Sequence, residues 1–492
     1  MKHRAAPESA VPTPTWGGEL KATLLLAGPL ALANLLQMLT YAVDVIFIAR
    51  LGEGPLAAST LAVSLFGLVL WALTALTGAV APVIAEAIGA RARTPRPVRR
   101  ATRMALWLAV ITGALGMGVC LLLVPLMRLS GQEAQLLPLA HEYNSILVFS
   151  LIPMLLASVL RNFVSALGRP IFATLITALG IVINSIANYA FIFGEFGAPE
   201  LGLAGAAIAT LITSFVILGA YALAIVTNPV MARYRIFYRL WRFDWERMRL
   251  IVRIGTPIAL TVTAEAGIFG TAPFLMGAFG PAQVAGHALA IQLAALAFQV
   301  PFGIGQAVTI RVGYAYGARD SIWIGRAGWT ALAISTAFMS MTAAAMVLFP
   351  EALLSIYVDP QAARNAAVVG FALQFVTLAA AFQLVDGVQA VAAGALRGLQ
   401  DTRIPMWIAI FSYWVPGIGM AIGLGFGAGL EGLGVWIGLA TGLAVAAVLL
   451  LWRWMARERL GLTQRAALEP RAQPAPDPLR PRSPQAPVSP AS

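Results

Sequence analysis

Apolar residues gather along this chain into twelve blocks separated by polar stretches. A helix rises about 1.5 Å per residue, so about twenty apolar residues cross a hydrocarbon core of roughly 30 Å. The pattern predicts spans near 20–48, 56–88, 104–127, 143–166, 171–193 and 203–226, then 251–279, 285–315, 324–349, 366–396, 405–426 and 432–455. Each block reads as a helix, which makes the chain an all-α polytopic membrane protein with twelve transmembrane helices.

The blocks form two sets of six related by duplication. A shift of 228 positions lays residues 29–91 on 257–319 without a gap. Pro29 then falls on Pro257, Gly52 on Gly280, Ala57 on Ala285, and Gly89-Ala90-Arg91 on Gly317-Ala318-Arg319. Matches of Ala on Ala are expected by chance in so apolar a chain, so these boundary residues carry the signal. The later thirds correspond more loosely: the segment 165–170 is similar to 397–405, and 202–205 to 432–434. Two pseudo-symmetric six-helix lobes follow, an N-lobe over 20–226 and a C-lobe over 251–455. An even number of spans per half gives both lobes one membrane orientation, as in parallel repeats that rock about a central site. Residues 227–250 are then a cytoplasmic linker, 1–19 a cytoplasmic N-terminal segment, and 456–492, rich in Pro, Ala, Ser and Arg, a disordered cytoplasmic tail.

Composition agrees with the spans. Hydrophobic residues make up 59% of 492 positions, charged residues 11%, and the mean hydropathy is +0.82, more apolar than a soluble core of this length. The net charge of +12 would suit nucleic acid only if it formed a folded basic face. Instead the arginines sit between spans, where they set orientation. Arg91, Arg93, Arg96, Arg99, Arg100 and Arg103 occupy one loop, and Arg233, Arg235, Arg239, Arg242, Arg247, Arg249 and Arg253 another. Both loops are expected in the cytoplasm, and parity adds Arg169, Arg319, Arg403 and both termini. The opposite loops hold Arg50, Arg128 and Arg364 among Glu53, Glu133, Glu195, Glu200, Glu351, Asp359 and Glu431. The first 19 residues carry no signal-peptide core, so the first span is expected to act as an uncleaved targeting signal. Cys120 is the one cysteine, which rules out an intramolecular disulfide or a thiolate cluster. Neither a Walker A sequence nor a zinc-type ligand spacing occurs, so ATP is not the evident energy source and no zinc or redox site is expected; the chain is expected to be no enzyme, to need no cofactor and to be a monomer.

Charge is otherwise avoided inside the blocks, with three acidic exceptions. Asp386 lies in the run 371–396, Glu265 in 261–269 and Asp44 in 41–48. A charged side chain at membrane depth costs about 3 kcal/mol on insertion scales, so such acids are expected to face a cavity and act in ion coupling. Asn34, Gln37, Tyr41 and Asp44 recur at helical spacing as one polar stripe on the first span. Pro29, about four turns before Asp44, can bend that helix because proline removes a backbone hydrogen bond. Asn184 and Asn188 project together from the fifth span, within reach of Asp44. These residues, with Phe382 and Gln389, are the candidate cavity lining. His287 reads as a residue of the outer interface and Glu86 as a partner of Arg91 or of water. Phe298, Phe302, Tyr314, Tyr316 and Trp323 read as filling that could also stack on the rings of a ligand.

Several of these segments together carry a resemblance. Val43-Asp44 through Gly52, Arg311-Val312-Gly313 ahead of Gly317-Ala318, Asn184 and Asn188, and Asp386 ahead of Gly394-Ala395-Leu396-Arg397-Gly398 with Asp401-Thr402 resemble the multidrug and toxic compound extrusion (MATE) family, in particular its bacterial NorM-like branch. The likeness spans roughly residues 20–455. It implies a twelve-helix antiporter of the bacterial inner membrane that exports organic cations against entry of protons or sodium. It also implies that Pro29 and Asp44 are linked to bending and proton binding, and that Glu265 and Asp386 lie together as the cation site, metal ligands only if the ion is sodium. Two such carboxylates in low dielectric cannot both stay ionised cheaply, so one takes a proton or both share an ion. Two departures stand out. Asn188 replaces an aspartate of archaeal relatives, and Phe382 replaces a tyrosine of sodium-linked ones, which tips the expectation toward protons.

A lipid-linked precursor flippase of the same superfamily would be expected to line its cavity with several basic residues, whereas the intramembrane charges here are expected to be acids. A channel or receptor scaffold would have no need of acids placed in separate lobes.

The topology is testable by cysteine accessibility in a Cys120→Ala background. A cysteine at position 96 should react with an impermeant reagent only from the cytoplasmic side, and labelling from the opposite side would overturn the count of twelve spans.

Overall fold

In the computed structural model of the protein, residues 15–91 and 94–463 are described. Residues 1–14, Arg93 and the expected tail from 464 onward lie outside the described residues. Twelve helices are long and apolar enough to cross a membrane: α1 (Trp16–Ala49), α2 (Glu53–Gly89), α3 (Arg96–Leu129), α4 (Leu136–Ala166), α5 (Ile171–Phe193), α6 (Gly202–Thr227), α7 (Trp245–Gly277), α8 (Pro281–Ala318), α9 (Ser321–Leu348), α10 (Ala363–Gly398), α11 (Arg403–Gly427) and α12 (Glu431–Met455). Every regular element among the described residues is helical.

Local chemistry starts several of these helices where they start. The side chains of Thr15, Asp244 and Asp320 accept hydrogen bonds from the free N–H groups of Gly18, Arg247 and Trp323, at 3.2, 3.2 and 2.9 Å, capping α1, α7 and α9. The cap at Asp244 begins α7 at Trp245, so the linker is shorter than the expected 227–250. α1 likewise begins at Trp16 rather than 20. At the other end, residues 456–463 are turns in which Arg457 and Leu462 are buried, so this part of the expected tail packs on the bundle.

The duplication is visible in the backbone. Gly52 and Gly280, 228 residues apart, adopt φ of +108° and +107° ahead of α2 and α8, a conformation that a Cβ disfavours. At the arginine-rich end the repeated glycines make the lobes meet. A Cβ on Gly89 would collide with the Tyr314 carbonyl of α8, and one on Gly317 with the Glu86 carbonyl of α2. The two helices therefore cross at backbone distance, each through its own glycine.

Further contacts close the same end. Tyr314 donates to the Ala166 carbonyl at 2.6 Å and Gln400 to Glu86 at 2.5 Å, so Glu86 is tied across the lobes. Higher along the helices, the Trp71 and Phe302 rings stack at 6.4 Å, with Phe298 beside Phe302 at 6.0 Å. These aromatics serve the junction between lobes.

α1 belongs to both lobes. Its lower half places Leu26, Ala27 and Leu30 in one buried cluster with Ile304, Val308, Val391 and Leu450 of the second half, and Ala31 packs against Gly303 of α8. Around Pro29 it begins to meet the first half as well, through Thr174 of α5, which donates to the Pro29 carbonyl at 2.7 Å. The lower half is anchored by a carboxylate that lies just outside the expected span. Glu19, 0% exposed, takes Arg311 Nε at 2.7 Å and Nη2 at 2.5 Å, and the Trp323 indole N–H at 2.8 Å. Glu19 thus joins the three acids as a fourth. Trp323, buried beneath this pair, is unavailable for stacking on a ligand.

Breaking a buried, bidentate pair leaves one charge without compensation, at about 3–5 kcal/mol. Glu19→Ala should therefore lower the thermal midpoint of the purified protein substantially, and adding Arg311→Met should recover part of the loss. Equal midpoints for wild type and Glu19→Ala would remove this pair as an anchor.

Candidate functional site

Two polar clusters lie within the helices, one in each lobe. In the second lobe, α10 carries Phe382, Asp386 and Gln389 at intervals of four and three residues, so they share one helix face. Glu265 stands on α7 midway between Pro257 and Pro273, each eight residues away and each interrupting the backbone ladder. Tyr413 is supplied by α11, where a π-helical turn over Tyr413–Gly417 contains Pro416. Such wide turns recur at functional sites because they re-aim side chains.

These elements place three titratable groups within electrostatic reach of a fourth. Glu265 is within electrostatic reach of Asp386, Arg397 and Tyr413. Asp386 is 5% exposed, and its Oδ1 has no hydrogen-bond partner. Gln389 donates through Nε2 to the Tyr413 hydroxyl at 2.7 Å, while its own Oε1 is buried and unpartnered. Buried acceptors without donors are costly, so the cluster is suited to receive a proton or cation. Phe382 takes no part in the polar contacts. It is buried with its ring edge-on to Phe269 at 6.0 Å and Trp436 at 5.9 Å, so the hydroxyl among these acids comes from Tyr413 instead.

In the first lobe, Asn188 donates through Nδ2 to Asp44 Oδ1 at 2.6 Å, and the same nitrogen is 3.1 Å from Asn184 Oδ1. Asp44 is thereby held between α1 and α5. Tyr143 of α4 is buried within its electrostatic reach. Further down the stripe on α1, Asn34 Oδ1 and Gln37 Oε1 accept from Arg161 of α4 at 2.6 and 3.2 Å. Tyr41, next on the stripe, is 40% exposed and within reach of Gln37 and Asp44.

The expectation that the charges within the spans are acids needs correction. Arg161, Arg311 and Arg397 also lie inside them. Each sits in an apolar run, the same signal that marks the acids. Tyr413 carried no comparable mark, since a tyrosine in an apolar helix is ordinary and its role depends on contacts from α7 and α10. His287 is also different from expectation. It is buried edge-on to the Trp436 ring at 5.5 Å, with Nδ1 unpartnered, and is no surface residue of the interface. Among the described residues no group of three or more His, Cys, Asp or Glu is arranged to hold a metal ion.

Comparison with known proteins matches this geometry to a family. The family model MatE matches residues 29–190 and 257–422, two segments whose starts are separated by the same offset as the internal repeat. A probable multidrug resistance protein NorM of Mesorhizobium japonicum is 41% identical over 454 residues, covering 91% of this chain and 96% of its own. The multidrug resistance protein NorM of Burkholderia vietnamiensis is 36% identical over 457 residues, covering 92% of this chain and 97% of its own. Among solved structures, a MATE in the bent conformation shares the fold with a TM-score of 0.81 at 22% identity, over 94% of this chain and 100% of that one. A eukaryotic MATE transporter shares it with a TM-score of 0.78 at 21% identity, over 92% and 99%.

Proposed function

From the premise that this chain belongs to the MATE family, as a membrane transporter of its NorM-like branch, we propose that it exports lipophilic organic cations and drugs across a bacterial inner membrane in exchange for protons. The observation that carries the reading is the buried Asp386 carboxylate, with an unpartnered oxygen, in reach of Glu265. Asp44, held by Asn188, is a second acid in the other lobe.

The exchange follows from electrostatics. With the transport path open to the cytoplasm, a lipophilic cation settles near ionised carboxylates, attracted strongly because the surroundings are apolar. Facing outward, entering ions occupy the same carboxylates and cancel that pull, so the drug leaves. The loaded protein then returns. Coupling requires only that drug and ion differ in affinity for the two states. The close backbone crossing of the lobes lies toward the arginine-rich end, and with that end in the cytoplasm, as the positive-inside rule expects, this arrangement is read as outward-facing.

Protons suit the second-lobe site better than sodium. By analogy with other hard cations, sodium takes about six oxygen ligands, which two carboxylates, one amide oxygen and one hydroxyl reach only if both carboxylates bind through both oxygens, and Phe382 adds none. Arg397 adds a competing positive charge within electrostatic reach of Glu265. A proton needs a single carboxylate.

Replacing the charge while keeping the shape tests the acids. Asp386→Asn and Glu265→Gln should each abolish gradient-driven efflux from sealed proteoliposomes at undiminished membrane abundance, and Asp44→Asn should impair it. Efflux at the wild-type rate by Asp386→Asn would end the proposed mechanism.

The ion is tested separately by imposing each gradient alone. A proton gradient in sodium-free buffer should drive efflux. Efflux that begins only when external sodium is added, at equal pH on both sides, would reverse the choice of ion.

A further inference from the structure

Resting on the export reading, we propose that Arg161 is an anion subsite in the first lobe, and that with Asp44 further along the same wall it adapts the transporter to zwitterions, molecules that join a delocalised organic cation to a carboxylate.

The case begins with an uncompensated charge. Arg161 lies in an apolar segment of α4 and is half-buried. Arg311 has Glu19 as a partner, and Arg397 has Glu265 in reach. No described carboxylate forms an ion pair with Arg161, and the titratable group in its electrostatic reach is Tyr221, which is neutral at ordinary pH. A cation in such a place is a functional group by default, because an apolar or neutral residue would be cheaper.

Its contacts position the guanidinium without neutralising it. The two acceptors, Asn34 Oδ1 and Gln37 Oε1, are amide oxygens. If the contact served only to join α1 to α4, a neutral amide at 161 could make the same kind of hydrogen bond. The charge would then be superfluous. Asn34 deepens the imbalance: its Oδ1 is used by Arg161, while its Nδ2 is buried with no acceptor. Guanidinium and amide donors are thus present together with too few acceptors. A carboxylate supplies two oxygens and matches the planar donor fork of arginine.

The spacing supplies the second half of the ligand. Gln37 and Asp44 are seven residues apart on α1, about 10 Å along the helix. Asp44 is fixed by Asn188. The wall therefore presents a positive group and a negative one at the separation of the two ends of a drug-sized molecule. A purely cationic substrate would use the acid alone.

A matched pair of dyes tests this with the full chain in lipid nanodiscs. Rhodamine 110 carries a free carboxylate, and rhodamine 123 is its methyl ester. Binding of each is followed by fluorescence anisotropy in wild type, Arg161→Gln and Asn34→Asp. The second substitution keeps the arginine and places a carboxylate beside it, so it carries the test even if Arg161→Gln folds poorly. Each variant should raise the ratio of dissociation constants, rhodamine 110 over rhodamine 123, by about tenfold or more, the scale of a lost charge-assisted hydrogen bond. A ratio that stays within about twofold of wild type in Asn34→Asp and in any folded Arg161→Gln, whatever happens to the two constants together, overturns the subsite. Transport separates this outcome from failure of the export reading. Wild-type proteoliposomes that export neither dye under a proton or a sodium gradient contradict export itself, whereas export with an unchanged binding ratio contradicts only the subsite.

Discussion

A buried carboxylate and guanidinium, Glu19 and Arg311, set the position of the first helix, and much of the remaining arrangement depends on it. Separated, either charge would be stranded in a medium that does not solvate it. Together, with the Trp323 indole as a third partner, they hold the lower half of α1 against α8 and α9. The upper half is then free to present Asn34, Gln37 and Asp44 to α4 and α5. One helix consequently touches both lobes, and the change of partner occurs around Pro29, where the backbone ladder is interrupted. Any motion of one lobe against the other must either carry this helix along or bend it.

The same low dielectric explains why the polar groups are clustered. Asp44 sits with two asparagines, Arg161 with two amides, and Glu265 with Asp386, Tyr413 and Arg397. Isolated, each would be costly, but no cluster is completely satisfied. Asp386 Oδ1, Gln389 Oε1 and Asn34 Nδ2 are among the buried atoms that lack partners, and each such group costs free energy that a bound ion or ligand can recover. In the proposed cycle these are the positions at which a moving ion or substrate changes the free energy, so they are where the two facing states can be told apart.

The lobes meet through small residues rather than through complementary charge alone. Gly89 and Gly317 let α2 and α8 approach at backbone distance, in a reciprocal contact that the internal repeat makes symmetric. Helices that associate in lipid gain nothing from burying apolar surface against each other instead of against acyl chains, so close packing and hydrogen bonds must supply the attraction. A junction of this kind is tight yet separable. That suits an interface that the proposed cycle requires to open.

The sequence by itself determined the twelve spans, the duplication and the family, because each follows from features local to the chain: runs of apolar residues matched to bilayer thickness, and boundary glycines, prolines and arginines repeated at a constant offset. The acids at 44, 265 and 386 were legible for a related reason, since charge inside an apolar run is conspicuous without any knowledge of neighbours. What only the tertiary structure decided was which of these groups are compensated. Glu19 looked like part of a polar leader until Arg311, nearly three hundred residues away, was found against it. Arg161 and Arg397 share the same local pattern as Arg311, yet one meets only amides, one lies near a carboxylate and one is fully paired. Phe382 and Tyr413 exchanged expectations in the same way, the first buried among rings and the second bringing its hydroxyl to the acids. The physical reason is that the worth of a charge or hydroxyl in low dielectric depends on what stands within a few ångströms of it, and helix packing brings those neighbours from remote parts of the chain.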